Sequence, residues 1–73
     1  MPSRFRDIKR ALQKMGATVS ASTGGSSHWH AEKDGKMYPI PASHGDKTEI
    51  ADVYVRGVCR ALGLDEAEFR KHL

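Results

Sequence analysis

His28-Trp29-His30-Ala31-Glu32-Lys33-Asp34-Gly35-Lys36-Met37-Tyr38-Pro39-Ile40 is the stretch on which the fold turns. Asp34-Gly35 is a pair that two-residue hairpin turns select, because both central positions of such a turn need positive φ. His28 to Glu32 and Met37 to Ile40 therefore read as strands paired antiparallel. Period two puts His28, His30 and Glu32 on one face of the first strand, and Trp29 and Ala31 on the other. A large aromatic beside alanine supplies the core volume that a small domain needs, so the Trp29 face is assigned to the interior and both histidines look outward. Pro39 and Pro41 bracket Ile40. Proline donates nothing to a sheet ladder, so this strand is expected to lie at an edge or to end there.

Before the hairpin, Ser22 to Ser27 is a small-residue loop carrying Gly24 and Gly25, and the alternation of Ala17, Val19 and Ala21 with Thr18 and Ser20 predicts a strand over Ala17 to Ala21. Further back, Phe5, Ile8, Leu12 and Met15 recur at helical spacing opposite a basic face, with Ser3 as expected cap and Gly16 as stop. After the hairpin, Asp46 and Glu49 have the form of a capping box, with Thr48 a rival cap, for a helix ending at Gly63. Ile50, Val53, Tyr54, Val58, Ala61 and Leu62 would form its apolar face. Asp65 and Glu68 repeat the capping pattern ahead of a short helix carrying Phe69. Helix, three antiparallel strands, helix and short helix make an α+β domain with its helices on one face of a small meander and the other face open.

Seventy-three residues suit one domain with a thin core, and residues 1–73 are expected to form it. At 38% hydrophobic and 29% charged, the composition is that of a globular protein and not of a disordered tail. Twelve Lys and Arg against nine Asp and Glu give a net charge of +3, which points to a polyanionic partner. The excess is biased to the front, where Arg4, Arg6, Lys9, Arg10 and Lys14 crowd the first helix. The single cysteine, Cys59, cannot form an internal disulfide, and no apolar run approaches the roughly 20 residues of a membrane span. Charges also occupy the place where a signal peptide has its apolar stretch, so a mature cytoplasmic protein without membrane contact is expected.

An outward imidazole exchanges protons near neutral pH, and RNA cleavage needs that service: a base for the ribose 2′-hydroxyl and an acid for the leaving oxygen. The basic surface would hold phosphates by charge, helped by backbone N–H groups of Gly24 and Gly25 and the hydroxyls of Ser26 and Ser27. Against this stands the plain reading of an outward histidine and a Gly-Ser turn as ordinary surface. His28, His30 and His44 also suggest a zinc site, but Glu32 is a weak closing ligand and Cys59 lies inside a helix, so no metal or other cofactor is expected. Cys59 reads as a small core residue, and Tyr38 and Tyr54 as packing residues with polar tips. Arg56 and Arg60, four apart on one helix, would grip RNA phosphates or an acidic partner, or simply face solvent.

Gly25-Ser26-Ser27-His28-Trp29, the Asp34-Gly35 turn, Tyr38-Pro39-Ile40-Pro41-Ala42-Ser43-His44 and Lys47-Thr48-Glu49-Ile50, in this order and spacing, together resemble the HicA toxins, also called YcfA-like proteins. The likeness covers nearly the whole chain. It implies a double-stranded-RNA-binding-like α-β-β-β-α fold with a short C-terminal helix, a metal-independent mRNA interferase activity, and neutralisation by a HicB-type antitoxin. In that family the catalytic histidine follows a Gly-Ser pair at the start of the second strand, in some members with one residue between, and Gly25-Ser26-Ser27-His28 has that form. His28 is thus the expected acid/base group, with Gly25, Ser26, Ser27, His30, His44, Arg56 and Arg60 as candidate RNA contacts. A non-catalytic module that binds RNA or antitoxin on the same fold is the alternative.

Overall fold

The structure is a computed structural model that describes residues 3–21 and 28–73. Its elements are β1 (Ser3–Arg4), α1 (Phe5–Lys14), β2 (Thr18–Ala21), β3 (His28–Lys33), β4 (Lys36–Pro41), a 3-10 turn (Gly45–Lys47), β5 (Glu49–Ile50), α2 (Asp52–Leu62) and α3 (Glu66–Lys71). The architecture is α+β, with a three-stranded antiparallel sheet in the order β2-β3-β4 and a separate two-stranded pair, β1 with β5.

The hairpin forms as its turn chemistry dictates. Lys33 pairs with Lys36 across a two-residue turn, and Asp34 (φ 53) and Gly35 (φ 79) both take the positive φ it requires. A two-residue turn makes Lys33–Lys36 a hydrogen-bonded pair, so along the ladder His30–Pro39 and His28–Pro41 are the non-hydrogen-bonded pairs. Both prolines thus stand where a residue's N–H would point off the open edge of β4, and neither has one. β4 is an edge strand, in keeping with the sequence.

The core lies between the inner face of this sheet and the helices. Phe5, Ile8, Ala11 and Leu12 of α1, Ala31 and Ile40 of the sheet, Val55, Val58, Cys59 and Leu62 of α2, and Phe69 of α3 are all buried. Trp29 packs on the same side, its ring 5.1 Å from that of Phe5, with the Lys9 ammonium 5.3 Å from the Trp29 centroid. α1 ends at Gly16 (φ 86) and α2 at Gly63 (φ 71), both in conformations that glycine adopts without strain. The hairpin lysines reach these ends: a Cβ on Gly63 would lie 3.4 Å from Lys36 Nζ, so an ammonium sits where the α2 dipole favours a cation. Asp65 caps α3 by accepting the Ala67 N–H at 3.0 Å, and Arg70 ties α3 to the start of α2 through Asp52 at 2.8 Å while bonding Glu66 within α3 at 2.9 Å.

Four sequence expectations are corrected. Ser3 does not cap α1; it pairs with Ile50, and the Phe5 N–H donates to the Thr48 carbonyl at 2.8 Å. Asp46 and Glu49 do not form a capping box, because Asp46 sits in the 3-10 turn and holds Lys9 at 2.8 Å while Glu49 is in β5. α2 therefore begins later, at Asp52, and Thr48 closes the preceding turn by accepting the His44 N–H at 2.8 Å. The buried face of α2 is rotated from the expected one: Val55 and Cys59 are in the core, whereas Val53 is 67% exposed and Ile50 is buried from β5. Finally, β2 starts at Thr18, and Ala21 is exposed where a buried position was expected.

Candidate functional site

Alternation along the three strands sorts the sheet into two faces. The inner face carries Val19, Trp29, Ala31, Tyr38 and Ile40, all buried or half-buried; the outer face carries Thr18 and Ser20, His28, His30 and Glu32, and Met37, Pro39 and Pro41. Every helix that shares the core lies on the inner side. The outer face is open among the described residues: Thr18, Ser20, His28, Glu32 and Pro39 are exposed, Met37 is 57% exposed, and His30 and Pro41 are half-buried.

His28 is the first residue of β3, opposite Pro41, and His30 follows on the same face between Ser20 of β2 and Pro39 of β4. Residues two apart on a strand have Cα atoms about 6.6 Å apart, so both imidazoles rise side by side from a rigid ladder. Ser20, whose hydroxyl-bearing side chain stands directly across from His30, is not singled out by motif, although period two in β2 already gives its face. His44 is exposed and lies three residues beyond Pro41, at the end of the sheet where β3 begins. Its N–H bond to Thr48 fixes its backbone.

The remaining expected contacts divide. Gly25, Ser26 and Ser27, with Gly24, lie outside the described residues. Arg56 and Arg60 are exposed, but they belong to the helix layer and line a groove of about 450 Å³ with Tyr38, Val53, Gly57 and Leu64. They are therefore not gathered with the histidines; a chain touching both would have to pass round the β4 edge. Arg56 is 3.6 Å from Asp52, an exposed i,i+4 pair of small energetic weight. Lys9, counted with the basic front, is taken up structurally by Asp46 and by the rings of Phe5 and Trp29.

No cluster of three His, Cys, Asp or Glu side chains fit to hold a metal occurs among the described residues, and Cys59 is buried away from the histidine face. Burial, reinforced by the nearby Glu66 and Asp65 carboxylates, pushes the Cys59 thiol up to about 11, so it is protonated and poorly nucleophilic at neutral pH. What this surface presents is a pair of imidazoles on a sheet face that is open among the described residues. No helix among the described residues is long and apolar enough to cross a membrane. Compared with family models, curated proteins and solved structures, the chain matches none.

Proposed function

We propose that this chain is a HicA-type toxin: a cytoplasmic, metal-independent endoribonuclease on a double-stranded-RNA-binding-like domain that cleaves mRNA, with His28 as proton-transfer group. Its activity is held in check by a HicB-type antitoxin. The observation that carries the reading is the exposed imidazole at the first position of β3, on the sheet face that no helix covers among the described residues. A histidine beneath the helices could not meet a polynucleotide. The order of Gly25-Ser26-Ser27-His28, the Asp34-Gly35 turn and Tyr38 to His44 supports the family reading, and the net charge of +3 suits a phosphate-bearing substrate.

The test is the His28→Ala protein, checked for folding by circular dichroism, against the unaltered chain in EDTA with a structured mRNA. Loss of fragments and of growth arrest on expression supports the assignment, and undiminished cleavage discards it. RNA retained by the unaltered chain without fragments favours the non-catalytic module instead.

A further inference from the structure

Transesterification of RNA needs two proton transfers, and one exposed histidine accounts for one of them. We infer that His30 is the second proton-transfer group, paired with His28, and that the substrate is an unpaired RNA stretch cut through its own 2′-hydroxyl. This rests on the ribonuclease reading. The two side chains share the outer face of β3, about 6.6 Å apart at their Cα atoms, on a strand held by neighbours on both sides. In-line displacement puts the attacking and leaving oxygens on opposite sides of phosphorus, so acceptor and donor must stand apart. Two imidazoles at this spacing flank a single phosphodiester.

The step balances without a co-reactant. One neutral imidazole takes the 2′-hydroxyl proton as the 2′-oxygen bonds to phosphorus; the bond from phosphorus to the 5′-oxygen breaks, and the other imidazole, protonated, gives its proton to that oxygen. The products are a 2′,3′-cyclic phosphate and a 5′-hydroxyl, and the histidines exchange protonation states. A continuous A-form helix holds the 2′-oxygen off the line of attack, which is why the substrate is an unpaired stretch.

The surroundings leave few rivals. Beside His30, β2 presents Thr18 and Ser20 and β4 presents Met37, Pro39 and Pro41, none of which titrates. Glu32 is the other ionisable side chain of this face among the described residues, and His44 and Asp46 stand in the segment after β4.

The experiment measures cleavage of an unstructured RNA oligonucleotide in EDTA between about pH 4 and 9, for the unaltered chain, His28→Ala, His30→Ala, His30→Gln, Glu32→Gln and His44→Ala. The unaltered chain should give a bell-shaped profile and cyclic-phosphate ends, and should leave the 2′-deoxy oligonucleotide intact. His30→Ala should lose about 10²–10⁴-fold in rate together with one limb of the bell, and His30→Gln should not restore it. A substrate with sulfur as the bridging 5′ leaving atom needs no acid, so it should rescue whichever single histidine variant lacks the acid. A bell that survives in His30→Ala, restoration by His30→Gln, rescue of neither variant, or loss of a limb in Glu32→Gln or His44→Ala overturns the pairing while leaving His28 in place. Failure of the unaltered chain to cleave RNA at all removes the ribonuclease reading itself, and the pairing with it.

Discussion

Gly57, in the middle of α2, offers the sharpest test of the packing. Helix propensity alone says that alanine there should stabilise the protein by about 1 kcal/mol. The structure says the opposite, because a Cβ on Gly57 would stand 2.6 Å from Tyr38 Cζ, 3.1 Å from its Cε1 and closer still to its hydroxyl oxygen. Tyr38 is half-buried on the inner face of β4 and is not a flexible chain end, so either its ring rotates out or α2 lifts from the sheet. Overpacking of this kind costs about 1–3 kcal/mol, so at mid-range it outweighs the propensity gain and leaves Gly57→Ala less stable by about 1 kcal/mol. For a domain of this size, that is a fall in Tm of about 4–8 °C. Thermal and urea unfolding followed by circular dichroism measure it. In a Tyr38→Ala background the obstruction is gone and the sign should reverse, with alanine at 57 stabilising by up to about 1 kcal/mol. A Gly57→Ala protein that melts at or above the unaltered chain, with tyrosine present, would refute the close approach.

Two further outcomes follow from charge and burial. The Arg70 guanidinium holds the Asp52 carboxyl below its ordinary 3.8, so the ion pair contributes stability above that value and loses it as pH falls through the folded-state value. The stability difference between the unaltered chain and Asp52→Asn should stay constant near neutrality and vanish in strong acid; one that widened on acidification would contradict this sign. Cys59, buried and with its thiol raised, should react with a thiol reagent about 10³-fold more slowly in the native protein than in urea. Comparable rates in the two states would mean that α2 does not shield it.

What the sequence makes legible is what local chemistry decides. Asp34-Gly35 names its own turn, Pro39 and Pro41 their edge, and the run Phe5, Ile8, Leu12 its helix, because each signal is read within a few residues. The start of α2 fails for the converse reason. Asp46 and Glu49 have a capping box's spacing, but the backbone there is committed to β1, more than forty residues earlier, and nothing local announces a two-residue strand pairing at that range. Once Glu49–Ile50 is drawn into that pair, the helix begins later and its buried face turns to Val55 and Cys59. Gly57 is a half-legible case: a glycine inside a helix signals close approach, but only the fold names Tyr38 as the neighbour. At the candidate site, period two already places His28 and His30 on one outward face. Arg56 and Arg60 were equally plausible companions in sequence, and their separation from the histidines is a property of which layer α2 joins.

That separation has an energetic consequence for any experiment on the histidines. Apolar burial is concentrated on the inner side of the sheet, where a 73-residue chain has little core to spare. The outer side chains of β2 and β3 contribute no volume to that core, so truncating His28 or His30 opens no core cavity and should cost less than the about 2–5 kcal/mol of a core truncation, and a lost activity in a variant that still melts cooperatively can be read as lost chemistry. An uncovered face has a cost of its own, since a bare sheet invites pairing with other chains at its edges. Covering the edges with bulk would close the face as well. In β4 the outward N–H groups of residues 39 and 41 are simply missing, and β2 is only four residues long, so both edges are blunted by backbone chemistry and length. The same two prolines lie directly across from His30 and His28, so β4 sets no charged side chain opposite either imidazole. The features that let the sheet stay open are thus the ones that shape its histidine surface.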